Sequence, residues 1–177
     1  MRTQSGIERG SGRLVRSKAD ERLAQLYTAH AQSAGRLALL LTGDREVAQD
    51  ITQEAFVRVG GHLTKLRDPD NAAGYLYRTV TNLAKGHGRR LKRHRTLQQR
   101  IPKSDHETQP DLGARDEMWR ALMKLPPRHR TALFLRYYLD LSEADAARAL
   151  DCSPEAMKSL THRAITGLRK HMKGTSS

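Results

Sequence analysis

Apolar side chains recur along this chain at the spacing of helices, and the alternating pattern of strands is almost absent. From about Asp20, a stripe of leucines extends from Leu23 and Leu26 to Leu41. Apolar residues three and four positions apart line one face of an amphipathic helix. The pattern therefore predicts a long first helix, preceded over residues 1–19 by a basic, disordered tail. The Arg- and Ser-rich composition of that tail is also typical of an organellar transit peptide.

Two more helical stripes follow the first. A turn signal at residues 42–44 precedes the second, and Gly60 and Gly61 follow it, as glycines often do at the end of a helix. The third stripe extends from Leu76 to Leu83 and continues into a dense run of Lys and Arg. These stripes predict a bundle of three helices whose last member ends in a strongly basic segment.

The periodic pattern is lost between the two halves of the chain. Residues 96–113 collect Pro, Ser, Asp and Gln, a composition typical of a flexible linker. Helical periodicity then resumes, with a break at Pro126 and Pro127. The sequence thus predicts an all-α fold of two small helical domains joined by a flexible linker. The predicted boundaries are 1–19 for the tail, 20–95 for the first domain, 96–113 for the linker, 114–172 for the second domain and 173–177 for a terminal tail.

Two closely spaced helix starts mark the second domain. Ser142 is a good N-cap with Asp145 three residues later, and the signal repeats at Ser153, where Pro154 occupies the first helical position. Such a short joint is typical of a helix-turn-helix, whose second helix enters the major groove of DNA. A helical hairpin with a solvated basic face is the alternative on this stretch alone. The polar positions of the second helix include Lys158, Ser159, His162 and Arg163.

The charge of the chain narrows the choice of partners. Its 177 residues carry a net charge of +13, from 32 Lys and Arg against 19 Asp and Glu. This excess favours polyanions, with nucleic acid ahead of an anionic membrane surface. No apolar run approaches the length of a membrane span and no secretory signal is evident, so no membrane association is expected. The single cysteine, Cys152, excludes an internal disulfide and fits a reducing cytosol.

The sequence offers no constellation of residues for catalysis. It has no Gly-rich phosphate loop and no His or Cys cluster at the spacing of metal ligands. Its scattered histidines have no placed acid or nucleophile beside them. We therefore expect no enzymatic activity, no metal site and no cofactor.

Three segments carry a family resemblance: REVAQDITQEAFVRV, YLYRTVTNLAKGHGRR, and LPPRHRTALFLRYYLDLSEADAARALDCSPEAMKSLTHRAITGLRK. In this order, with a linker before the last, they resemble core regions of bacterial sigma-70-class RNA polymerase sigma factors, in particular the two-domain extracytoplasmic-function group. The resemblance covers the chain from about Asp20 to Lys170. It implies a cytoplasmic promoter-recognition subunit that binds core RNA polymerase and promoter DNA, with no cofactor and no catalysis. An anti-sigma factor is a further candidate partner under this resemblance.

The resemblance assigns roles to three groups of residues. The second helix would bind the clamp of core polymerase. The third would capture the −10 element as single-stranded DNA, which needs an aromatic surface, an amide and cations, although one of its two tyrosines is expected in the core. The helix-turn-helix would contact the −35 element as duplex. The assigned residues are Asp50, Gln53 and Glu54 for polymerase, Tyr75, Tyr77, Arg78, Asn82, Lys85, Arg89 and Arg90 for the −10 element, and Lys158, Ser159, His162 and Arg163 for the −35 element.

The sequence departs from the family pattern in three places. Tyr75 stands where the family often has Trp, so stacking survives with less area. Gly86 stands where the family usually has Asp, and Gly88 follows it. Each glycine inside a helix costs about 1 kcal/mol, so the third helix is expected to bend or end early there. In the recognition helix Leu160 and Thr161 stand where the family usually has Arg and then Leu, so the apolar position is shifted by one residue. This shift favours Lys158, His162 and Arg163 as the DNA-facing residues.

Two other functions fit part of the sequence. A stand-alone helix-turn-helix regulator would explain the basic second domain, but it leaves the acidic residues around Asp50 unexplained. A basic RNA-binding protein would explain the net charge, and it would prefer structured RNA to promoter fragments.

Overall fold

The computed structural model describes residues 8–66, 71–97 and 113–173, and every regular element among them is helical. The predicted all-α fold of two helical domains is confirmed. Most of the predicted linker lies outside the described residues, as do the two ends of the chain. The elements are α1 (Glu8–Thr42), α2 (Arg45–Gly60), α3 (Ala72–Leu97), α4 (Gly113–Met123), α5 (Pro127–Leu133), a π-helical turn (Phe134–Tyr138), α6 (Glu143–Leu150) and α7 (Pro154–Lys173).

The first helix begins earlier than its apolar stripe predicts. It starts at Glu8 rather than near Asp20, so part of the predicted tail is helical. This stretch contains no proline, and its two glycines, Gly10 and Gly12, do not stop the helix from extending toward the N-terminus. The next turn forms as predicted. Gly43 adopts a φ of +74° there, and the Asp44 carboxylate caps α2 by accepting from the Val47 amide at 3.1 Å.

The N-terminal bundle consists of α1, α2 and α3 around an aliphatic core. Leu37 and Ala38 of α1, Val59 of α2, and Leu76 and Val80 of α3 are fully buried. Full burial of a Leu or Val side chain stabilises a fold by about 1.5–3 kcal/mol relative to exposure. The faces of α2 and α3 that point away from this core are therefore free to carry polar residues.

The C-terminal bundle is built around α7, which packs on α4, α5 and α6. Met157 and Ala164 of α7 are fully buried in these contacts. Between α5 and α6 the chain widens into the π-helical turn, in which the Leu139 amide donates to the Phe134 carbonyl at 3.0 Å. Asp140 follows with a φ of +50°, and this left-handed residue redirects the chain into α6.

The two bundles pack against each other through α1–α5 and α3–α6 contacts. The buried guanidinium of Arg130 in α5 donates to the Leu40 carbonyl of α1 at 2.7 Å. Leu40 lies in the last turn of α1, where carbonyls have no partner within the helix, so the C-terminal bundle caps the end of α1. Burial lowers the pKa of Arg130. Nearby, the Arg36 guanidinium lies 5.4 Å from the centre of the Tyr138 ring.

Candidate nucleic-acid interface

The helix-turn-helix forms as its capping signals predict. The Ser142 hydroxyl accepts from the Asp145 amide at 3.0 Å and donates to the Asp145 carboxylate at 2.6 Å. The Ser153 hydroxyl accepts from the Ala156 amide at 3.2 Å at the start of α7. Between the two helices Asp151 has a φ of +54°, the left-handed conformation in which helices often end. These local bonds set the direction in which α7 leaves α6.

The exposed face of α7 carries all four residues predicted for duplex DNA. Leu160 and Thr161 are half-buried, and the Thr161 hydroxyl donates to the Met157 carbonyl at 2.9 Å. The two residues before this pair and the two after it point to solvent. The exposed residues are Lys158, Ser159, His162 and Arg163.

Glu155 belongs to the same exposed face, three and four residues before Lys158 and Ser159, and sequence reasoning missed it. Hydrogen bonds from its own backbone amide and from Ser153 lower the pKa of its carboxyl group. A carboxylate in the first turn of a recognition helix can accept from the amino group of cytosine. An acid in this position is also typical of ordinary helix starts, so the sequence pattern alone did not single it out.

The polar face of α3 is the side of the helix that bears Tyr75, Arg78, Asn82 and Arg89. Their spacings of three, four and seven residues place them on one side of the helix. Arg78, Asn82 and Arg89 are exposed, and Tyr75 is half-buried. The structure thus brings together an aromatic ring, an amide and cations, as predicted. Two more predicted cations, Lys85 and Arg90, are exposed and flank this face.

Tyr77 lies on the opposite side of α3, and its burial contradicts its assignment to the −10 element. Its side chain is 1% exposed, and its hydroxyl lies 2.9 Å from Nδ1 of His30 in α1. Burial raises the pKa of Tyr77 and lowers the pKa of His30. Val80 and Ala84, three and seven residues later, are also buried. That spacing was the sequence signal that Tyr77 is the core tyrosine of the pair.

The third helix continues through Gly86 and Gly88 to Leu97, so the expectation that it ends early is wrong. A Cβ added at either glycine would meet nothing within 4 Å, which means that both glycines face open space. The packed first half of α3 supplies the helical nucleus. Each residue added after it gains one hydrogen bond, so the costly nucleation step is not repeated. Arg89 and Arg90 are consequently held on a regular helix.

An open groove of about 870 Å³ lies between the last turn of α2 and the basic half of α3. We call it the α2–α3 groove. Sequence reasoning did not find Arg58, which contributes to this groove from α2. Its neighbours in the sequence belong to the acidic helix, so only the packing of α2 on α3 reveals the contribution. The residues that line the groove are Arg58, Asn82, Leu83, Gly86, Arg89, Arg90, Lys92 and Arg93.

The C-terminal bundle covers one end of the polar face of α3. Arg78 forms an ion pair with Asp151 of the helix-turn-helix, with an N–O distance of 3.0 Å. Tyr75 and Arg78 line a cleft of about 420 Å³ between the bundles, together with Asp151 and Cys152. Two residues assigned to the −10 element therefore lie at the cleft between the bundles, and Arg78 contacts the second bundle directly.

The residues predicted for the polymerase, Asp50, Gln53 and Glu54, are all exposed on α2. Beside them lies a shallow groove of about 320 Å³ between α1 and α2. It is lined in part by Tyr27 and Phe56, whose ring centroids are 4.9 Å apart. Tyr27 is 57% exposed although it is aromatic. An exposed aromatic ring in a groove that Gln53 also lines is suited to contact with a protein partner.

Neither a metal site nor a membrane span is found in the described parts of the chain. No group of three or more His, Cys, Asp and Glu residues there could hold a metal ion. None of the described helices is both long enough and apolar enough to cross a bilayer.

Two family models match the chain, one for each bundle. The Sigma-70 region 2 model matches residues 26–94, and the model for Sigma-70, region 4 matches residues 115–166. Together they cover more than half of the chain, including α2 and α3 in the first bundle and the helix-turn-helix in the second.

Curated sigma factors are similar over most of this chain. The ECF RNA polymerase sigma factor SigE of Mycolicibacterium smegmatis is 32% identical over 86% of the chain, which spans 62% of that longer protein. The ECF RNA polymerase sigma factor SigL of Mycobacterium tuberculosis is 30% identical, with 81% of this chain and 85% of SigL covered. RNA polymerase sigma-E factor of Streptomyces coelicolor is 29% identical, with 77% and 78% covered.

Two solved structures share the fold. The sigma factor RpoE from Bartonella quintana, in complex with the anti-sigma factor NepR, has a TM-score of 0.66 at 21% identity and covers 85% of this chain and 96% of RpoE. CnrH, in complex with the cytosolic domain of CnrY, has a TM-score of 0.65 at 20% identity, covering 92% and 97%. At this level of identity the solved structures show only the fold, whereas the family models and the curated relatives also show the family. The chain belongs to the sigma-70 family of RNA polymerase sigma factors, in its extracytoplasmic-function group.

Proposed function

We propose that the two bundles of this sigma factor divide promoter recognition between them. The polar face of α3 takes the −10 element and the exposed face of α7 takes the −35 element, while α2 binds core RNA polymerase. The observation that carries this proposal is that each bundle presents its own polar helix face, and each bundle matches its own sigma-70 region. A stand-alone regulator would need only α7.

The −10 element is captured as single strand. An unpaired base needs a surface for stacking, and the half-buried ring of Tyr75 supplies one. The exposed amide of Asn82 offers both a donor and an acceptor to a base edge. The cations that follow, Lys85, Arg89 and Arg90, bind the phosphates of the strand.

The −35 element is contacted as duplex in its major groove. Arg163 has the planar guanidinium that pairs with O6 and N7 of guanine, and Lys158 is closer to the N-terminus of α7, where it reaches a base or a phosphate. Ser159 and His162 complete the same exposed face. Small buried residues of α6, such as Ala146, let the two helices lie close enough for α7 to enter the groove.

Core RNA polymerase is bound through its β and β′ subunits, with the clamp on the acidic side of α2. Asp50 and Glu54 are exposed acids in a chain of net charge +13, so they favour a basic protein surface over DNA. The protein acts in the cytoplasm with the polymerase, and it catalyses no reaction of its own.

Both elements are bound at once only after the two bundles separate. Elements centred about 25 base pairs apart are roughly 85 Å apart on B-form DNA, at about 3.4 Å per base pair. A compact chain of 177 residues has a radius of gyration of only about 16 Å. Separation also frees Arg78 from Asp151. An anti-sigma factor is a further partner that suits this chain, since the structurally similar sigma factor RpoE was solved in complex with the anti-sigma factor NepR.

Run-off transcription with core polymerase, followed by sequencing of the transcript ends, tests the proposal. We expect promoter-specific transcripts that depend on this protein. We expect poor binding to promoter duplex without polymerase, because the −10 surface needs an opened strand and both elements are bound at once only after the bundles separate. Tight, sequence-specific duplex binding by the protein alone, with no effect on transcript starts, would instead identify a stand-alone regulator.

A further inference from the structure

We propose that Arg58 binds a backbone phosphate of single-stranded promoter DNA in the α2–α3 groove, and that Glu54 pairs with Arg58 until core polymerase takes Glu54. The inference rests on the proposed function and adds to it a contact residue on α2 and a link between polymerase binding and DNA binding. It concerns a residue outside the −10 set that the sequence assigned.

The geometry of the groove suits a single strand. Asn82, Gly86, Arg89 and Arg93 line it at the spacings of one helix face, and Arg58 faces them from α2. No acidic side chain is among the described residues that line the groove. Because a Cβ at Gly86 would meet nothing within 4 Å, the position between Asn82 and Arg89 is open. A strand that follows α3 past Asn82 would therefore pass between the cations of α3 and Arg58 of α2.

The groove is accessible in the arrangement in which the bundles are packed together. All of its described lining residues belong to α2 and α3. It is thus distinct from the cleft in which Arg78 contacts Asp151. A single strand can reach Arg58 without separation of the bundles, and this makes Arg58 testable in the free protein.

The Arg58 guanidinium is already paired with a carboxylate, which competes with a DNA phosphate for it. Its Nη2 donates to Oε1 of Glu54 at 2.5 Å, one helical turn away on α2. The two side chains are 55% and 49% exposed, so the pair is screened by water and changes an equilibrium by no more than about fivefold. Such a pair is weak enough to exchange for a phosphate or for a cation of a protein partner.

The position of Glu54 makes polymerase that protein partner. Glu54 shares the exposed side of α2 with Asp50 and Gln53, the residues assigned to the clamp. When a basic surface of the clamp pairs with Glu54, Arg58 loses its carboxylate partner and is available to a phosphate in the α2–α3 groove. Polymerase binding thereby raises the positive charge available to the strand, and the effect is reciprocal because two coupled binding events share one coupling free energy.

Salt titrations of single-strand binding by the free full-length chain test the contact. The probe is a labelled oligonucleotide with the non-template −10 sequence of a promoter mapped by run-off transcription. Each phosphate contact adds about 0.7 to the slope of log affinity against log salt for single strands, so Arg58→Ala should reduce that slope by about 0.7. The affinity should fall by roughly fourfold at 0.15 M salt, as follows from that slope and a 1 M reference. Arg58→Lys should retain most of the slope, since a point charge suffices for a phosphate.

Arg45→Ala is the matched control, because Arg45 is an exposed arginine of the same helix that lies at its other end and outside this groove. We expect it to leave the slope nearly unchanged. Equal slopes for the wild type and Arg58→Ala, or equal losses for Arg58→Ala and Arg45→Ala, would overturn the contact.

A double-mutant cycle tests the pairing with Glu54. In the free chain Glu54→Gln should raise single-strand affinity about two- to fivefold, and this gain should fall to that of a general charge removal when Arg58 is alanine. Asp50→Asn removes the same charge from α2, but Arg58 pairs with Glu54 and not with Asp50. The gain in single-strand affinity from Asp50→Asn should therefore be smaller and independent of Arg58. Additive effects of Glu54→Gln and Arg58→Ala would overturn the pairing. An absence of promoter-dependent transcripts from the wild type would instead contradict the proposed function, which separates the two failures.

Discussion

Replacing Arg130 with methionine should shift the protein toward an arrangement in which its two bundles are apart. Arg130 is the buried side chain of α5 that donates to the Leu40 carbonyl at the end of α1. Methionine retains an unbranched, flexible side chain of comparable length that can fill the same space, but it has no donor. The substitution therefore removes a hydrogen bond between the bundles while leaving most of the apolar contact in place.

The size of the effect follows from what Arg130 gains and loses in the closed arrangement. Hydrogen bonds to charged groups contribute about 1.5–3 kcal/mol. Burial of the guanidinium opposes this gain, and its Nε has no hydrogen-bond partner among the described residues. We therefore take the low end, about 1.5 kcal/mol. Since 1.4 kcal/mol is a factor of ten, the ratio of open to closed protein should rise about tenfold.

The thiol of Cys152 can report the opening. It is the single cysteine of the chain, and it lines the cleft between the bundles beside Tyr75 and Arg78. Because the thiol is half-buried when the bundles are packed, its reaction with a bulky disulfide reagent should accelerate as the open population grows. We expect an acceleration in Arg130→Met that approaches tenfold.

Arg128→Met provides the control, because Arg128 is an exposed arginine on the same helix. It loses the same charge and gains the same side chain without loss of the Leu40 bond. Thermal unfolding would verify that both variants remain folded. Equal labelling rates in the two variants would refute the reasoning, since they would show that the Arg130–Leu40 bond does not hold the bundles together.

Three further predictions concern single residues. Arg163→Ala should relax sequence preference in the −35 element by roughly 1–3 kcal/mol of discrimination, measured as transcription from a set of −35 variants. Arg90→Ala should instead weaken all promoters alike. A uniform loss in Arg163→Ala would show that Arg163 contacts a phosphate and not a base. Gly88→Ala should raise the free energy of unfolding by about 0.5–1 kcal/mol in chemical denaturation, because alanine restricts the unfolded chain more than glycine and its Cβ meets nothing within 4 Å in the helix. A decrease would contradict the open position of Gly88. Burial lowers the pKa of His30, so the folded state favours the neutral ring and stability should fall as the pH drops below about 6.5, the ordinary histidine value. Denaturation at pH 7.5 and 5.5 measures this, and an unchanged pH dependence in His30→Gln would rule out His30 as its source.

Local patterns in the sequence were sufficient to predict that the fold is helical and that the second domain contains a helix-turn-helix. The caps at Ser142 and Ser153 involve bonds within three residues, so the residue types alone predict them. The apolar stripe of α7 likewise predicts which side of the helix is exposed, and the structure places Lys158 and Arg163 there. These features depend on neighbours within one helical turn, and such neighbours can be identified from residue spacing.

Local patterns were misleading where a helix depends on the rest of the fold. The glycines at 86 and 88 predicted an early end of α3, but α3 continues to Leu97. Propensity acts at the level of about 1 kcal/mol per residue, and a packed helical nucleus outweighs it. The start of α1 at Glu8 shows the same limit, because an apolar stripe predicts where a helix packs and not where it begins.

Contacts between residues far apart in the sequence became evident only from the packing of the helices. The bond from Arg130 to Leu40 and the ion pair of Arg78 with Asp151 join separate bundles, and neither has a signature in residue spacing. Arg58 belongs to an acidic helix in the sequence, yet in the folded chain it lines a groove of α3 cations. Helical periodicity specifies a direction around one helix axis. The neighbour that a side chain meets in that direction depends on how the helices cross, and therefore on the burial of the whole apolar core.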